Sequence, residues 1–248
     1  KEDYLRILRY FRFFTQYSKV DYDQDIIHCI KQNINGLNKI SNERIFDELK
    51  KILKLNNVLN LFLDKTSNKI FSFVFPQLRH YKRLEKIQKL DPIIKNQLDE
   101  IFILSLLIVD KSDNYEYFCH KYKVSNKIKK RFSIIASNFE ALESKNFFKK
   151  ENIRKYLYYN TKDSVKDLLL FTFFINEKIK FSELEDSMNY LYKCEKPIFP
   201  FSGNFLKEQG LESGEKFGKI LKKLESEWIS NNFNLDEDKV NKLLKKQS

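Results

Sequence analysis

Asp3 and Arg6 stand three residues apart near the beginning of the sequence, a spacing that on a helix sets an acceptor-only carboxylate beside a forked guanidinium donor. Such a pair complements one kind of nucleobase edge. Cytosine and adenine each present an exocyclic amine next to a bare ring nitrogen, so a carboxylate can accept from the first while a guanidinium donates to the second. Guanine and uracil reverse that order, with a carbonyl beside a ring N–H. Each mismatch would then bury an unsatisfied polar group, costing about 1 to 3 kcal/mol, or roughly ten- to a hundredfold in selection. A plainer alternative stays open from the residues alone: two opposite charges one turn apart on a helix surface form a solvated ion pair worth about a few tenths of a kcal/mol.

Other residues of chemical interest divide into charged patches and carboxylate pairs. Asp21 and Asp23, like Asp236 and Asp238, have a spacing that can hold a divalent cation, but both pairs lie at expected helix starts, where capping explains them better. Cys29, Cys119 and Cys194 are odd in number and far apart, and His28–Cys29 and Cys119–His120 are adjacent side chains that diverge on a helix, so no structural metal is expected. No Walker loop, serine triad or zinc-hydrolase motif occurs. Lys127, Lys129, Lys130 and Arg131 oppose an apolar stripe of Ile128, Phe132, Ile135, Phe139 and Leu142, making a candidate phosphate-contacting face. Gly210, Gly214 and Gly218 punctuate a short helix, a turn and a long helix, with Lys207, Lys216 and Lys219 nearby. A glycine-bearing turn between helices can aim free N–H groups at a phosphate, or can simply permit a tight turn.

The elements that must position these residues are expected to be helices. Residues 2–17 are apolar or aromatic nearly all round and should be substantially buried. A second helix is expected over 23–35, ending at Asn35–Gly36, and a third from Ser41 as N-cap, with Ile40 and Ile45 placed as a hydrophobic staple. The run Phe71 to Phe75 cannot be assigned by periodicity. Asp91–Pro92 opens a helix over 93–109, Ser125 is a candidate cap for the next, and helices are expected over 150–160 and 164–176. Ser182 with Glu185 reads as a capping box, and Pro197, Pro200 and Gly203 mark the clearest loop.

With 5 Gly and 4 Pro in 248 residues, tight turns and sheets are poorly supplied, and the fold class expected is all-α. Lys and Arg number 46 against 34 Asp and Glu, a formal net charge of +12, which favours a polyanionic partner. No apolar run approaches the roughly 20 residues of a membrane helix. No membrane association and a cytoplasmic setting are expected. The sequence opens at Lys1 inside a charged helical pattern, so it is expected to be a fragment or one half of a divided protein.

Three segments carry a family resemblance: Glu2-Asp3-Tyr4-Leu5-Arg6-Ile7-Leu8-Arg9, Ile40-Ser41-Asn42-Glu43-Arg44-Ile45-Phe46-Asp47-Glu48-Leu49, and Pro197 through Gly218 with its glycines. In order and spacing they resemble the neck motifs and body-to-tail junction of class II CCA-adding tRNA nucleotidyltransferases and bacterial poly(A) polymerases. The resemblance implies an elongated multi-helix neck (1–63), body (64–145) and tail (146–248), without the catalytic head that precedes the neck. It implies that Glu2, Asp3 and Arg6 select the base, with Arg9 assisting, and that Glu43, Arg44 and Glu48 support them from the next helix. Lys127, Lys129, Lys130 and Arg131 in the body, and Lys207, Gly210, Gly214, Lys216, Gly218 and Lys219 in the tail, are then RNA-contacting candidates. The partners implied are tRNA, CTP and ATP, with two Mg2+ ions held by the absent head; if a separate chain supplies that head, exposed aromatics such as Phe11 and Phe13 would seal the contact. The chain alone is expected to bind without catalysing. Poly(A) addition, or RNA binding without catalysis, are the alternative functions.

Overall fold

The computed structural model describes residues 3–209, 215–236 and 240, apart from the side chains of residues 215 and 216. Among them no strand occurs, and the all-α expectation holds. In order the helices are α1 (Arg6–Tyr17), α2 (Gln24–Asn33), α3 (Asn42–Leu53), α4 (Val58–Leu63), α5 (Lys65–Val74), α6 (Pro92–Lys95), α7 (Glu100–Ile108), α8 (Asn114–Lys121), α9 (Asn126–Ser137), α10 (Phe139–Leu142), α11 (Lys150–Tyr159), α12 (Lys162–Ile175), α13 (Phe181–Lys193), α14 (Gly203–Glu208) and α15 (Glu215–Ser230). Tight 3-10 segments cover Ile34–Lys39, Tyr81–Lys89 and Lys145–Phe148. The chain divides into two compact units, one of residues 1–145 with 167–184, the other of 146–166 with 185–248.

Side-chain caps set five of the ten helix starts from α1 to α10. Asp23 accepts from the N–H groups of Asp25 and Ile26 at 2.8 and 3.2 Å, which accounts for this carboxylate as a cap. Ser41 accepts from Arg44 N–H at 3.4 Å, and Asp91 from Ile94 N–H at 2.7 Å with Pro92 in the first turn. Several expectations need correction. The helix expected over 93–109 is two helices, because Asp99 caps α7 by accepting from Phe102 N–H at 2.7 Å and so restarts the chain's winding. Ser125 makes no capping bond. The capping box expected at Ser182 and Glu185 does not start α13: the helix begins at Phe181, and only the acidic half of such a box forms two residues earlier, where the Glu183 carboxylate accepts from Lys180 N–H at 2.9 Å. The run from Phe71 to Phe75 proves helical as far as Val74, closing α5, and Phe75 follows as its C-cap.

The core of the first unit is aromatic. Phe11 packs edge-on to Phe71 with centroids 5.6 Å apart, Phe62 meets Phe71 at 5.5 Å, and Phe75 meets Tyr122 at 5.6 Å. Phe11 is therefore fully buried and cannot be an exposed docking aromatic, whereas Phe13 is 46% exposed, with the Arg12 guanidinium 4.2 Å from its ring. Helix α7 is buried on every side from Phe102 to Ile108. Its terminal carbonyls are met by Arg83, which donates to Leu106 O at 3.0 Å and Val109 O at 2.7 Å, and burial lowers the pKa of that guanidinium to about 10. Lys86 does the same for α12, donating to Phe173 O and Asn176 O, both at 2.8 Å. In the second unit Leu206, Ile220, Leu224 and Val240 form a small core beneath Phe199, Phe201, Phe205 and Phe217. Trp228 sits among Phe199, Tyr158 and Phe233 at 5.4, 5.5 and 4.9 Å.

Helix α8 ends in a Schellman arrangement, Val124 N–H to Cys119 O at 2.9 Å and Lys123 N–H to His120 O at 3.3 Å, which forces Lys123 to a φ of 49°. An L side chain is strained there by roughly 1 to 2 kcal/mol, and glycine relieves this at some entropic cost. Lys123→Gly is expected to stabilise the chain by about 0.5 to 1 kcal/mol, raising Tm by roughly 1 to 4 °C in thermal unfolding. A fall in Tm would mean that the exposed Lys123–Glu43 ion pair outweighs the backbone strain.

Candidate nucleotide and RNA site

Asp3 lies in a turn that leads into α1, not on the helix itself. Arg6 N–H donates to Asp3 O at 3.0 Å and Ile7 N–H to Tyr4 O at 3.1 Å, so the one-turn spacing of the two side chains is kept. The Asp3 carboxylate accepts from Leu5 N–H at 3.3 Å and from Arg44 Nη2 at 3.5 Å, and Arg9 Nη1 is 3.9 Å from its other oxygen. Arg6 is exposed, and no described residue pairs with its guanidinium. The ion pair between Asp3 and Arg6 that the spacing left open does not form. Glu2 lies outside the described residues.

Helix α3 braces this turn with charges. Glu48 is 1% exposed, and its carboxylate accepts from Arg12 Nε at 2.5 Å and Lys51 Nζ at 3.4 Å, with Arg9 Nε at 3.8 Å. Arg9 thus stands between Glu48 and Asp3, and Arg44 reaches Asp3 from the first turn of the same helix. Glu43 faces elsewhere: it pairs with Lys123 at 2.9 Å, and that hydrogen bond holds its carboxyl below the usual range. What the arrangement offers is an acceptor held by two guanidiniums and, three residues on, an exposed guanidinium that pairs with no described residue.

The basic face of α9 is split. Lys127, Lys129 and Lys130 make no ion pair with a described residue. Arg131 does not join them. It donates to both oxygens of Asp167 at 2.5 and 2.9 Å and to both oxygens of Asp99 at 2.6 and 2.8 Å. Burial acts to lower its pKa, but Asp167 and then Asp99 outweigh this and hold it well above the usual value. Arg131 is a structural tie between α9, α12 and the start of α7.

In the second unit Lys207, Gly218 and Lys219 are exposed, and Gly218 has open space where a side chain would project. Gly210 and Gly214 lie outside the described residues, as does the side chain of Lys216. A cleft of about 630 Å³ between α11 and α15, lined among others by Asn152, Lys155, Tyr159, Lys222, Ser226 and Asn232, was not signalled by any motif. The four-residue spacing of Lys155 and Tyr159 on α11 is the signal that could have found it. Among the described residues no cluster of His, Cys, Asp and Glu is placed to hold a metal ion, and no helix is long and apolar enough to cross a membrane.

Residues 22–82 match the family described as "Probable RNA and SrmB- binding site of polymerase A". Over 99% of its length the chain is 27% identical to the mouse (Mus musculus) "CCA tRNA nucleotidyltransferase 1, mitochondrial" and 26% identical to the human (Homo sapiens) protein of that name, in each case spanning 56% of the relative. The chain therefore covers little more than half the length of the curated relatives it matches. Among solved structures, the Thermotoga maritima CCA-adding enzyme complexed with tRNA aligns with a TM-score of 0.62 at 16% identity, covering 99% of this chain and 62% of that one. A CCA-adding enzyme in complex with ATP aligns at 0.61 and 17%, covering 98% and 59%. The fold is thus that of the helical part of CCA-adding enzymes. In sequence the chain is thus similar, over nearly its whole length, to part of these CCA tRNA nucleotidyltransferases.

Proposed function

We propose that this chain is the base-selecting and RNA-gripping part of a tRNA nucleotidyltransferase that completes the CCA end of tRNA. The observation that carries the proposal is the exposed Arg6 guanidinium, unpaired among the described residues, three positions from an Asp3 carboxylate that Arg44 and Arg9 hold in place. Asp3 accepts from the exocyclic amine of CTP or ATP while Arg6 donates to the adjacent ring nitrogen, and GTP or UTP would leave both groups facing like partners. Glu48 and Arg9 position the acceptor. Mg2+ carried by a head domain supplies the activation of the primer hydroxyl and the neutralisation of the triphosphate. The proposed partners are therefore tRNA, CTP, ATP and a catalytic head, on the same chain or a separate one. Any compartment that holds tRNA suits this role, the cytoplasm included; the mouse and human relatives carry mitochondrial names.

The test is reconstitution. The chain, combined with a family head domain, is expected to incorporate CTP and ATP into a tRNA lacking its terminus and to discriminate against GTP and UTP. Incorporation of ATP alone would favour poly(A) addition, to which the matched family's description also points. Salt-sensitive tRNA binding with no incorporation would favour a binding role.

The lysines of α9 contribute to the RNA grip in this reading. Replacing Lys127, Lys129 and Lys130 together by Gln is expected to weaken tRNA binding and to reduce the slope of log K against log salt by about 2 to 3. An unchanged slope in filter-binding titrations would remove these three from the interface.

A further inference from the structure

We propose that Gly36 is a positioning residue for base selection, a notch that seats the Tyr4 ring and thereby fixes the turn carrying Asp3 and Arg6. The inference rests on the reading that those two side chains choose the base. A Cβ placed on Gly36 would lie 2.1, 2.2 and 2.4 Å from Cδ1, Cε1 and Cγ of Tyr4. Carbon atoms rest about 3.5 to 4.0 Å apart, so the ring occupies the space that any side chain at this position would need. The Gly36 backbone is outside the left-handed region, so this contact, not conformation, is what requires glycine there.

The notch is firmly held, and the turn it seats lies ahead of the regular helix. Gly36 belongs to the 3-10 segment Ile34–Lys39, anchored by Ile34 and Leu37 at 9% and 4% exposure, and Lys39 of the same segment brings its ammonium within 5.6 Å of the Tyr4 ring centroid. Residues 3–5, by contrast, precede the regular helix, and Leu5 at its N-cap makes no side-chain capping bond. The turn is fixed by Leu5 in the core, by the Asp3 ion pairs and by the Tyr4 ring. Tyr4 lies between Asp3 and Arg6 in the chain, so a shift of its ring moves both recognition groups. Relieving the clash with one added methyl requires a shift on the order of 1 Å, and misplacements of that size cost about a hundredfold in rate.

In the chain joined to its head, Gly36→Ala is expected to lower kcat/KM for CTP and ATP by about a hundredfold and to bring their preference over GTP and UTP toward one. The KM for tRNA is expected to stay near that of the parent, and the Tm to fall by roughly 2 to 12 °C from the overpacking. Adding Tyr4→Leu to Gly36→Ala frees the crowded space and is expected to restore about tenfold or more of the lost preference, a rescue that general destabilisation would not give. Full discrimination by Gly36→Ala, or a double variant no more selective than the single, would overturn the proposal; should the single variant fail to fold, the double decides. If Arg6→Ala leaves base choice intact, the underlying reading fails. If Arg6→Ala relaxes base choice while Gly36→Ala does not, only the notch fails.

Discussion

Arg6→Ala, assayed with the catalytic head in place, is expected to cut incorporation of CTP and ATP by about ten- to a hundredfold each while leaving Tm almost unchanged. The two halves of this result come from one observation. An exposed guanidinium with no partner among the described residues contributes little to folding, so its loss should fall within about 0.5 kcal/mol of neutral. The same free N–H groups are what a ring nitrogen of cytosine or adenine needs, so their removal takes away half of the recognition. Asp3→Ala is expected to relax selection by a similar factor, but it also releases Arg44 and Arg9 and so carries a small stability cost. Nucleotide-competition assays on the two variants separate these effects: an Arg6→Ala chain that still rejects GTP and UTP would end the base-selection reading, whatever its Tm.

Local rules made part of this molecule legible, and the rest depends on partners far along the chain. Ser41 and the Asp91–Pro92 pair announced their helix starts because a cap needs only the next three residues. The stripe of Phe132, Ile135, Phe139 and Leu142 is buried as its spacing implied, since periodicity fixes which face meets the core. Asp99 was missed as a cap because the apolar residues on either side continue the helical period through the break. Glu48 reads as one more charge on an amphipathic helix. Its burial between Arg9 and Arg12 arises from residues 36 or more positions away, which no local pattern encodes. Gly36 looked like a helix stop, and its contact with Tyr4 exists only in the folded chain. The order of Asp3 and Arg6 was legible, but the lack of a described partner for the Arg6 side chain was not.

Arg131 is where these two kinds of information disagree most, and the disagreement can be measured. Its neighbours in sequence make it one of four basic residues on a surface helix, whereas its neighbours in space are Asp167, at 7% side-chain exposure, and Asp99. Removing one member of a buried, hydrogen-bonded ion pair leaves the other charge poorly compensated and costs about 3 to 5 kcal/mol. Arg131→Met keeps most of the side-chain length but no charge, and at roughly 2 to 4 °C per kcal/mol it is expected to lower Tm by about 10 °C. Lysine should fail to rescue it, because a point charge cannot span both carboxylates as the planar fork does. A phosphate contact predicts the opposite pattern: Arg131→Met would keep its Tm and lose tRNA affinity with a shallower salt dependence, as the three lysines beside it are expected to do. Thermal unfolding and salt-dependent tRNA binding, measured on the same protein preparation, decide between a tie inside the fold and a grip on RNA.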